Sequence, residues 1–238
     1  MHPILFTIGP FKIYSYGFFL ALAFLSVTLL SEKEAKKRSI NLITISNFCL
    51  ISLIAGVAGA RLLFIIMNID IFISSPKEII MFQHGGLVWY GGLISALISG
   101  FSYLKLKKQD ILGVLDLMAP YLALGQAIGR IGCLLNGCCF GKFWPLYNTL
   151  YPTQAISSLS MLVIFFTLKT VERRNPSKGK IFILYLICYS MARFFIEFLR
   201  GDSPPFVGIL TLFQVISVVI FSVSMFFYFA GLSNKGKN

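Results

Sequence analysis

Charge is scarce in this chain. Charged residues make up 13% of the 238 residues, and only nine residues are acidic. A soluble domain carries about 25% charged residues, so a soluble globular protein is excluded. The chain is instead 57% hydrophobic, and its apolar stretches have the length needed to cross a bilayer core. The sequence therefore predicts an integral membrane protein.

Three other features are missing. The start, Met1-His2-Pro3-Ile4, lacks the basic region of a cleavable signal peptide, so the first apolar stretch is expected to stay in the mature protein. The five cysteines have no repeated Cys-x-x-Cys spacing and give neither a disulfide framework nor a zinc signature. No internal repeat is evident, which weakens an inverted-repeat transporter. We therefore expect no metal and no cofactor.

The apolar stretches predict one all-α domain over residues 1–238, built as a bundle of seven transmembrane helices. The predicted spans are residues 16–30, 43–67, 87–104, 111–135, 155–168, 181–199 and 208–229. The longest segments on the outer side are residues 68–86 and 136–154.

Basic residues are divided unevenly between the two sets of loops. Of the 21 lysines and arginines, 14 lie on one set: Lys33, Lys36, Lys37, Arg38, Lys105, Lys107, Lys108, Lys169, Arg173, Arg174, Lys178, Lys180, Lys235 and Lys237. The other set has four: Lys12, Lys77, Lys142 and Arg200. The positive-inside rule places the N-terminus outside and the C-terminus in the cytoplasm. The net charge of +12 is thereby assigned to orientation, and no nucleic-acid partner is expected.

Small residues recur at helical spacing. Ala55-x-x-x-Gly59 and Gly125-x-x-x-Gly129 allow helix backbones to approach closely. Four more glycines fall within eight residues at the outer end of the third span: Gly85, Gly86, Gly91 and Gly92. They fit either tight helix packing or a broken helix whose backbone faces a ligand. Both interpretations stay open.

Charge inside a span is costly, about 2.5–3.5 kcal/mol for a central arginine on insertion scales. In the sixth span, four polar side chains share one stripe: Tyr189, Arg193, Glu197 and Arg200. Arg193 and Glu197 can pair at i,i+4. The pair either staples two helices or belongs to a groove in which Arg130 and Arg200 supply surplus positive charge for a lipid phosphate.

A second cluster lies over residues 125–142. Arg130 and Lys142 bracket its glycines, and Asn136 can hold a polar substrate group. Glycine lets a backbone approach a ligand closely. Asp116, near the inner end of the same span, is expected to form a cap or an interhelical hydrogen bond.

Taken together, these motifs resemble the prolipoprotein diacylglyceryl transferase family over nearly the whole chain. The most specific are Gly129-Arg130-Ile131-Gly132 with Asn136-Gly137 and Gly141-Lys142, and the stripe of the sixth span. Shorter matching elements are Gly9-Pro10, Tyr16-Gly17, Ala60-Arg61-Leu62, Gly85-Gly86-Leu87, Gly91-Gly92-Leu93-Ile94, Pro152-Thr153-Gln154 and Gln214. The family's seven-span, N-out topology agrees with the charge distribution.

The resemblance implies a reaction at the outer face of the bacterial cytoplasmic (inner) membrane. The diacylglyceryl group of phosphatidylglycerol passes to the lipobox cysteine of a prolipoprotein signal peptide, and glycerol 1-phosphate leaves. This is the first step of bacterial lipoprotein maturation. It requires cations on the developing phosphate charge and a means of deprotonating the thiol.

The expected catalytic residues are Arg130, Arg193, Glu197 and Tyr90. We expect Arg130 and Arg193 to clamp the phosphate, with Glu197 orienting Arg193. The residues expected to bind phosphatidylglycerol are Arg130, Tyr16, Asn136, Gly141, Tyr189 and Arg61.

The chain departs from the family pattern at several positions. Tyr90 replaces the histidine of a His-Gly-Gly unit, and His84 does not align with that position. Cys133 and Cys138 replace an asparagine and an acidic residue, and a Tyr and a Glu are lost after Pro152-Thr153-Gln154. These departures leave the identity of the base open.

Three cysteines, Cys133, Cys138 and Cys139, fit a redox, metal or covalent-carrier site. The favoured interpretation is that they are small apolar fillers of a helical interior.

Two alternative functions stay open. One is a family relative acting on a different lipid donor or acceptor, as Tyr90 and the lost Tyr and Glu suggest. The other is a small anion transporter or channel, which would place its sites near the membrane midplane. The charges and glycines lie instead toward the outer ends of spans three, four and six, which favours interfacial chemistry.

Overall fold

The structure is a computed structural model that describes residues 2–9, 11–79, 81, 85–145, 148–174 and 176–233. These residues form eight α-helices: α1 (Ser15–Lys37), α2 (Leu42–Met67), α3 (Ile69–Ser74), α4 (Trp89–Leu106), α5 (Ile111–Asn136), α6 (Thr153–Glu172), α7 (Lys180–Leu199) and α8 (Leu212–Ser233). A short 3₁₀ turn spans Pro76–Ile79. Residues named in the sequence analysis that lie outside the described ranges are Met1, Pro10, His84, Lys235 and Lys237.

Six of the described helices are long and apolar enough to cross a membrane: α1, α2, α5, α6, α7 and α8. This confirms a helical integral membrane protein. The predicted third span corresponds to α4, which has 18 residues. Tyr90 near its start and Lys105 near its end leave it a shorter apolar stretch, so α4 does not join the six. The count of seven spans stays a prediction.

Three short antiparallel hairpins, which the sequence analysis did not predict, precede α1, α6 and α8. They are β1 (Ile4–Ile8) with β2 (Phe11–Tyr14), β3 (Phe143–Trp144) with β4 (Thr149–Leu150), and β5 (Pro205–Val207) with β6 (Leu210–Thr211). Gly9 and Gly208 have a φ of 57° in two of the turns, a conformation that favours glycine. The third hairpin occupies the residues before α8, which is why that helix begins four residues after the predicted start of its span.

The chain divides into two compact units, one formed by Met1–Ser31 with Leu115–Asn238 and the other by Glu32–Val114. The single-domain organisation stays a prediction. The core of the first unit lies between α5, α6 and α7. Ala119, Ala123 and Ala127 form a stripe of small residues on α5, and such stripes let membrane helices pack closely.

Asp116 ties α5 to the start of α7. Its carboxylate accepts hydrogen bonds from the backbone N–H groups of Gly179, at 2.6 Å, and Phe182, at 2.8 Å. The N–H groups of a first helical turn have no partner within the helix, and negative charge is favourable there. The predicted cap is confirmed, and it fixes the axial position of α7.

In the second unit, α2 and α4 pack through glycines. A Cβ on Gly91 would lie 2.4 Å from the carbonyl oxygen of Gly59, and one on Gly92 would lie 3.1 Å from that of Gly56. The tight-packing interpretation is therefore confirmed for this pair. Gly85 and Gly86 differ, because they precede the helix and have φ values of 78° and 84°.

Candidate active site

The stripe on α7 brings Arg193 and Glu197 together. Arg193 Nη2 lies 2.8 Å from Glu197 Oε2, which confirms the predicted pair. The Arg193 guanidinium lies 4.6 Å from the centre of the Phe213 ring, and Glu197 is buried with 2% exposure. Glu197 engages one nitrogen of a guanidinium that has five donors, so Arg193 keeps donors for an anion.

The start of α8 holds Glu197 from the other side. The Thr211 hydroxyl donates to Glu197 Oε1 at 3.2 Å. Thr211 is itself fixed by Gln214, because the Thr211 N–H donates to Gln214 Oε1 at 2.9 Å and the Gln214 N–H donates to Thr211 Oγ1 at 3.3 Å. This is a capping box. The sequence analysis found no role for Thr211, although the Thr-x-x-Gln spacing is a signal for one.

Arg200 is not a surplus cation. Its Nε and Nη2 lie 2.8 Å and 2.7 Å from the two carboxylate oxygens of Asp202. The hydrogen bonds from Arg200 lower the pKa of Asp202. The prediction that Arg200 supplies surplus charge is therefore wrong, because Asp202, two residues further on, neutralises it.

Arg130 has a different environment. It is half-buried in the last third of α5, and its guanidinium has no hydrogen bond or ion pair within the described part of its own unit. Its charge interacts electrostatically with Arg193 and Cys139, so it lies beside the stripe on α7. A Cβ on Gly129 would meet nothing within 4 Å. Arg130 is thus a half-buried cation beside the stripe on α7, and its neighbour Gly129 leaves open space next to α5.

Tyr16 lies against the same part of α5. A Cβ on Gly132 would lie 3.5 Å from Tyr16 Cα and 2.9 Å from Phe19 Cβ, so this glycine permits the close approach of α1. The Tyr16 side chain is 44% exposed and interacts electrostatically with Arg130. The structure therefore brings the predicted residues Tyr16 and Arg130 together.

Three thiols come together at the end of α5 and in the loop that follows it. The helix ends at Asn136, and Gly137, with a φ of 78°, turns the chain back. The Asn136 side chain hydrogen-bonds to the Cys138 thiol. The Sγ atoms of Cys133, Cys138 and Cys139 all lie within 4.8 Å of one another.

The pKa values of the two loop thiols are shifted in opposite directions. A hydrogen bond from the Cys133 thiol, with the charges of Arg200 and Arg130 and against the effect of burial, lowers the pKa of Cys139 to about 5. Burial raises the pKa of Cys138. Cys139 is therefore the loop thiol that ionises more readily.

Two buried side chains at the start of α6 hold this loop in place. The Thr153 hydroxyl donates to the carbonyl oxygen of Cys139, and Gln154 Nε2 donates to that of Cys138, both at 2.8 Å. The sequence analysis treated Thr153 and Gln154 only as a short family element. Their role is to position the cysteine loop.

Gly141 and Tyr189 are explained first by packing. A Cβ on Gly141 would lie 2.5 Å from the carbonyl oxygen of Tyr151 and 3.0 Å from that of Leu199, so only glycine fits between the loop and the end of α7. Tyr189 is half-buried and stacks on Tyr185 with 5.8 Å between ring centres. Their contacts with phosphatidylglycerol stay predictions.

Arg61, in the second unit, is surrounded by backbone. It is 5% exposed and donates to five carbonyl oxygens, those of Glu78, Ile79, Met81, Gly85 and Gly86. Its guanidinium lies 5.4 Å from the centre of the Phe72 ring. Arg61 therefore organises the loop between α3 and α4, and its predicted role in headgroup binding stays untested.

Tyr90 also belongs to the second unit. It is the second residue of α4, it is half-buried, and its ring meets that of Trp89 edge to face with 5.3 Å between centres. Its catalytic role stays a prediction.

Comparison with known proteins decides the family. The sequence profile described as prolipoprotein diacylglyceryl transferase matches residues 3–230. This chain belongs to the prolipoprotein diacylglyceryl transferase family. It is similar to the phosphatidylglycerol–prolipoprotein diacylglyceryl transferase of Clostridium tetani, with 38% identity over 242 residues, 96% of this chain and 97% of that protein.

Two further relatives also match this chain over nearly its whole length. Phosphatidylglycerol–prolipoprotein diacylglyceryl transferase 2 of Clostridium perfringens is 37% identical over 235 residues, 92% of this chain and 91% of its own length. The enzyme of Bacillus licheniformis is 31% identical over 239 residues, 92% and 88% of the two chains. The family resemblance inferred from the motifs is confirmed, and with it the assignment to the transferases.

For a diacylglyceryl transferase, the site in the first unit has the parts that displacement at a phosphate ester needs. Arg130 is available to an anion, and Arg193 is oriented by a buried carboxylate. Both lie in a low-dielectric region, where cations stabilise developing phosphate charge more strongly than they do in water.

Proposed function

We propose that this chain transfers the diacylglyceryl group of phosphatidylglycerol to the cysteine thiol of a prolipoprotein lipobox and releases glycerol 1-phosphate. The proposal is supported by membership of the family and by the activity for which the relatives are named. The observation that carries it is the environment of Arg130, a half-buried guanidinium without a partner in the described part of its unit. A buried cation needs a counter-charge, and a lipid phosphate supplies one.

The reaction is a displacement at carbon. The acceptor sulfur attacks the diacylglyceryl carbon that bears the phosphate, a C–S bond forms, and the C–O bond to the phosphate breaks. The electron pair leaves with the phosphate oxygen, and the thiol proton goes to solvent. Arg130 and Arg193 stabilise the charge that collects on the leaving phosphate.

The remaining residues position the donor and the arginines. Glu197 orients Arg193, while Tyr16 and Asn136 bind the glycerol headgroup beside Arg130. Tyr189 and Gly141 border the same region. Arg61 supports the fold by holding the loop between α3 and α4.

We assign Tyr90 a hydrogen bond to the phosphate rather than the role of base, because an ordinary phenol has a pKa near 10 and is rarely ionised at neutral pH. Tyr90→Phe is expected to lose part of the activity, and Tyr90→His is expected to be tolerated. The measurement is transfer by the purified variants across pH. Complete loss at every pH in folded Tyr90→Phe that still binds lipid would make Tyr90 the base.

The proposed setting is the bacterial cytoplasmic membrane, with seven spans, the N-terminus outside, the C-terminus inside and the site toward the outer leaflet. The charge distribution supports this orientation. All three hairpins lie on segments that this topology assigns to the same side of the membrane. Fusion of a reporter active only in the cytoplasm to the C-terminus tests it, and an inactive fusion would reverse the orientation.

The function is tested with purified full-length protein, labelled phosphatidylglycerol and a synthetic lipobox peptide. We expect the label to appear on the peptide as a thioether and glycerol phosphate to be released in equal amount. A matched peptide with serine in place of the cysteine is the control and should stay unlabelled. Transport of an anion into vesicles without any peptide labelling would instead favour the channel alternative.

A further inference from the structure

Two of the three clustered thiols, those of Cys138 and Cys139, lie outside any helix. Cys138 and Cys139 lie in a loop and are half-buried, while Cys133 is buried in the last turns of the helix. The other two cysteines, Cys49 and Cys188, lie within α2 and α7. Apolar filling accounts for the helical pair, but it does not account for three sulfur atoms that converge at the edge of a loop.

The backbone is arranged to bring these sulfurs together. Cys139 has a φ of 60°, a left-handed conformation that costs a non-glycine residue about 1–2 kcal/mol. Gly137 turns the chain so that the N–H of Cys138 donates to the carbonyl oxygen of Cys133 at 3.2 Å. Thr153 and Gln154 then fix the next two carbonyl groups. The loop is therefore held in a conformation that local preference does not favour.

We propose that Cys133, Cys138 and Cys139 bind one Zn²⁺ ion through their sulfur atoms and leave its fourth coordination position open for the acceptor thiol. Zinc takes sulfur ligands at about 2.3 Å in a tetrahedron, which sets sulfurs about 3.8 Å apart. The three sulfurs lie within 4.8 Å of one another, so each must move by at most about 0.6 Å to reach that geometry. Three protein ligands with one open position are typical of catalytic rather than structural zinc.

The ligand type and the charge both suit this ion. Soft thiolates select zinc over hard cations such as Mg²⁺. Three thiolates and one Zn²⁺ carry a net charge of −1, and Arg130 and Arg200 interact electrostatically with Cys139. The positive field of these two arginines favours a complex with a net negative charge.

The use of the open position rests on the proposed function, whereas the metal site rests on the geometry alone. The acceptor thiol binds Zn²⁺ as thiolate and releases its proton to water. Its sulfur then attacks the diacylglyceryl carbon, the C–S bond forms, and the C–O bond breaks with its electron pair on the phosphate oxygen. The product is a neutral thioether, a weaker ligand than a thiolate, so it leaves the metal.

The metal site is tested on full-length protein purified anaerobically with a phosphine reductant. We expect about one zinc per chain by elemental analysis, and a sulfur-to-cobalt charge-transfer band after exchange with Co²⁺. Cys133→Ser and Cys139→Ser should lose both the bound zinc and the cobalt band. Cys133→Asn, which restores the family's usual residue, serves as a second folded variant and should lose both as well. Cys49→Ser and Cys188→Ser are the matched controls and should retain both. A zinc content of the wild-type protein no higher than that of the Cys133 and Cys139 variants would overturn the site.

The role of the metal is tested separately with the cobalt form. Lipobox peptide should shift the visible cobalt spectrum, and the matched serine peptide should not. Chelated, metal-free protein should lose transfer and regain it with Zn²⁺. Full transfer by metal-free protein would overturn the role of the metal and leave the proposed function standing, whereas a cobalt shift without transfer to any lipobox peptide would contradict the proposed function.

Discussion

Arg61 and Arg130 occupy contrasting environments in the two units of the molecule. Arg61 is buried and donates to five backbone carbonyls of one loop. Arg130 is half-buried, and the described part of its own unit gives it no hydrogen bond or ion pair. Both arginines are part of short family motifs. Their surroundings separate an arginine that completes the fold from one that has donors left for a ligand.

The difference follows from what each guanidinium must satisfy. Its five donors cannot be deprotonated, so every buried arginine needs acceptors. Where the backbone supplies them, loss of the arginine orphans carbonyl groups and costs stability. Where a ligand supplies them, loss of the arginine costs binding or rate. Stability and activity should therefore respond oppositely at the two positions.

The largest effect is expected at Arg130. Arg130→Lys should reduce transfer by about 10²–10³-fold, the usual result of removing one preorganised donor from developing charge, because an ammonium cannot reproduce a planar two-point contact with phosphate. Thermal stability in detergent should change little. Arg173→Lys, at an exposed position, is the control. Wild-type rates in well-folded Arg130→Lys and Arg130→Ala would contradict the proposed role of Arg130 in clamping the phosphate.

Arg61→Met should give the opposite pattern. The change keeps an apolar stem but leaves buried carbonyl groups without donors, which should cost about 2–3 kcal/mol and lower Tm by about 5–10 °C. Transfer per folded molecule should stay within about twofold of wild type. The comparison between the two arginines fails if activity disappears while Tm is preserved.

Arg193 and Glu197 test an intermediate case, in which a side chain holds the arginine. Arg193→Gln and Glu197→Gln should each be impaired, and the double variant should be less impaired than the sum, with a coupling of about 1–2 kcal/mol. The reason is that Glu197→Gln deprives Arg193 of its carboxylate, and Arg193→Gln leaves Glu197 with only the 3.9 Å contact to Arg200 Nε. Transfer rates and Tm of all four proteins complete the cycle, and plain additivity in both would argue against the pair.

The smallest effect is expected at Asp202, which forms an ion pair with Arg200. Asp202→Asn should cost about 0.5–1 kcal/mol at neutral pH. Because Arg200 lowers the pKa of Asp202, this contribution is present above the unfolded pKa near 3.9 and is lost as pH falls through the folded pKa. Melting curves of wild type and variant should therefore run apart above pH ~5 and converge below pH ~4. A constant gap down to pH ~3 would contradict the pair.

Sequence reasoning reached the helices because their signals are local. Long apolar runs gave the helical spans, and i,i+4 spacing gave the Arg193–Glu197 pair. It failed at Arg200, because the neutralising Asp202 lies beyond the helix end, where periodicity no longer predicts contacts. It also missed the hairpins, whose strands are only two to five residues long.

The cysteine cluster shows the same limit. Cys133 and Cys138 have the Cys-x4-Cys spacing that zinc sites also use, but the sequence offers no second such pair to complete a ligand set. The thiols meet because the backbone reverses at Gly137 and Cys139, and because α6 holds the reversed loop. No sequence pattern predicts a left-handed φ at a cysteine, so only the three-dimensional structure shows that the three sulfurs lie close together.

The cap that Asp116 places on α7 acts as a distant anchor for the chemistry. From Phe182 to Arg193 the helix rises by about 16 Å, and a helix is stiff over that length. Sliding or rotating Arg193 toward a substrate would pull both N–H groups off a buried carboxylate. The substrate must therefore move to an arginine whose helix is fixed. The conformational change that lipid exchange requires has to come from the loops and helices around α7. A substitution at Asp116 should therefore make the position of the Arg193 side chain less precise, although Asp116 does not touch it.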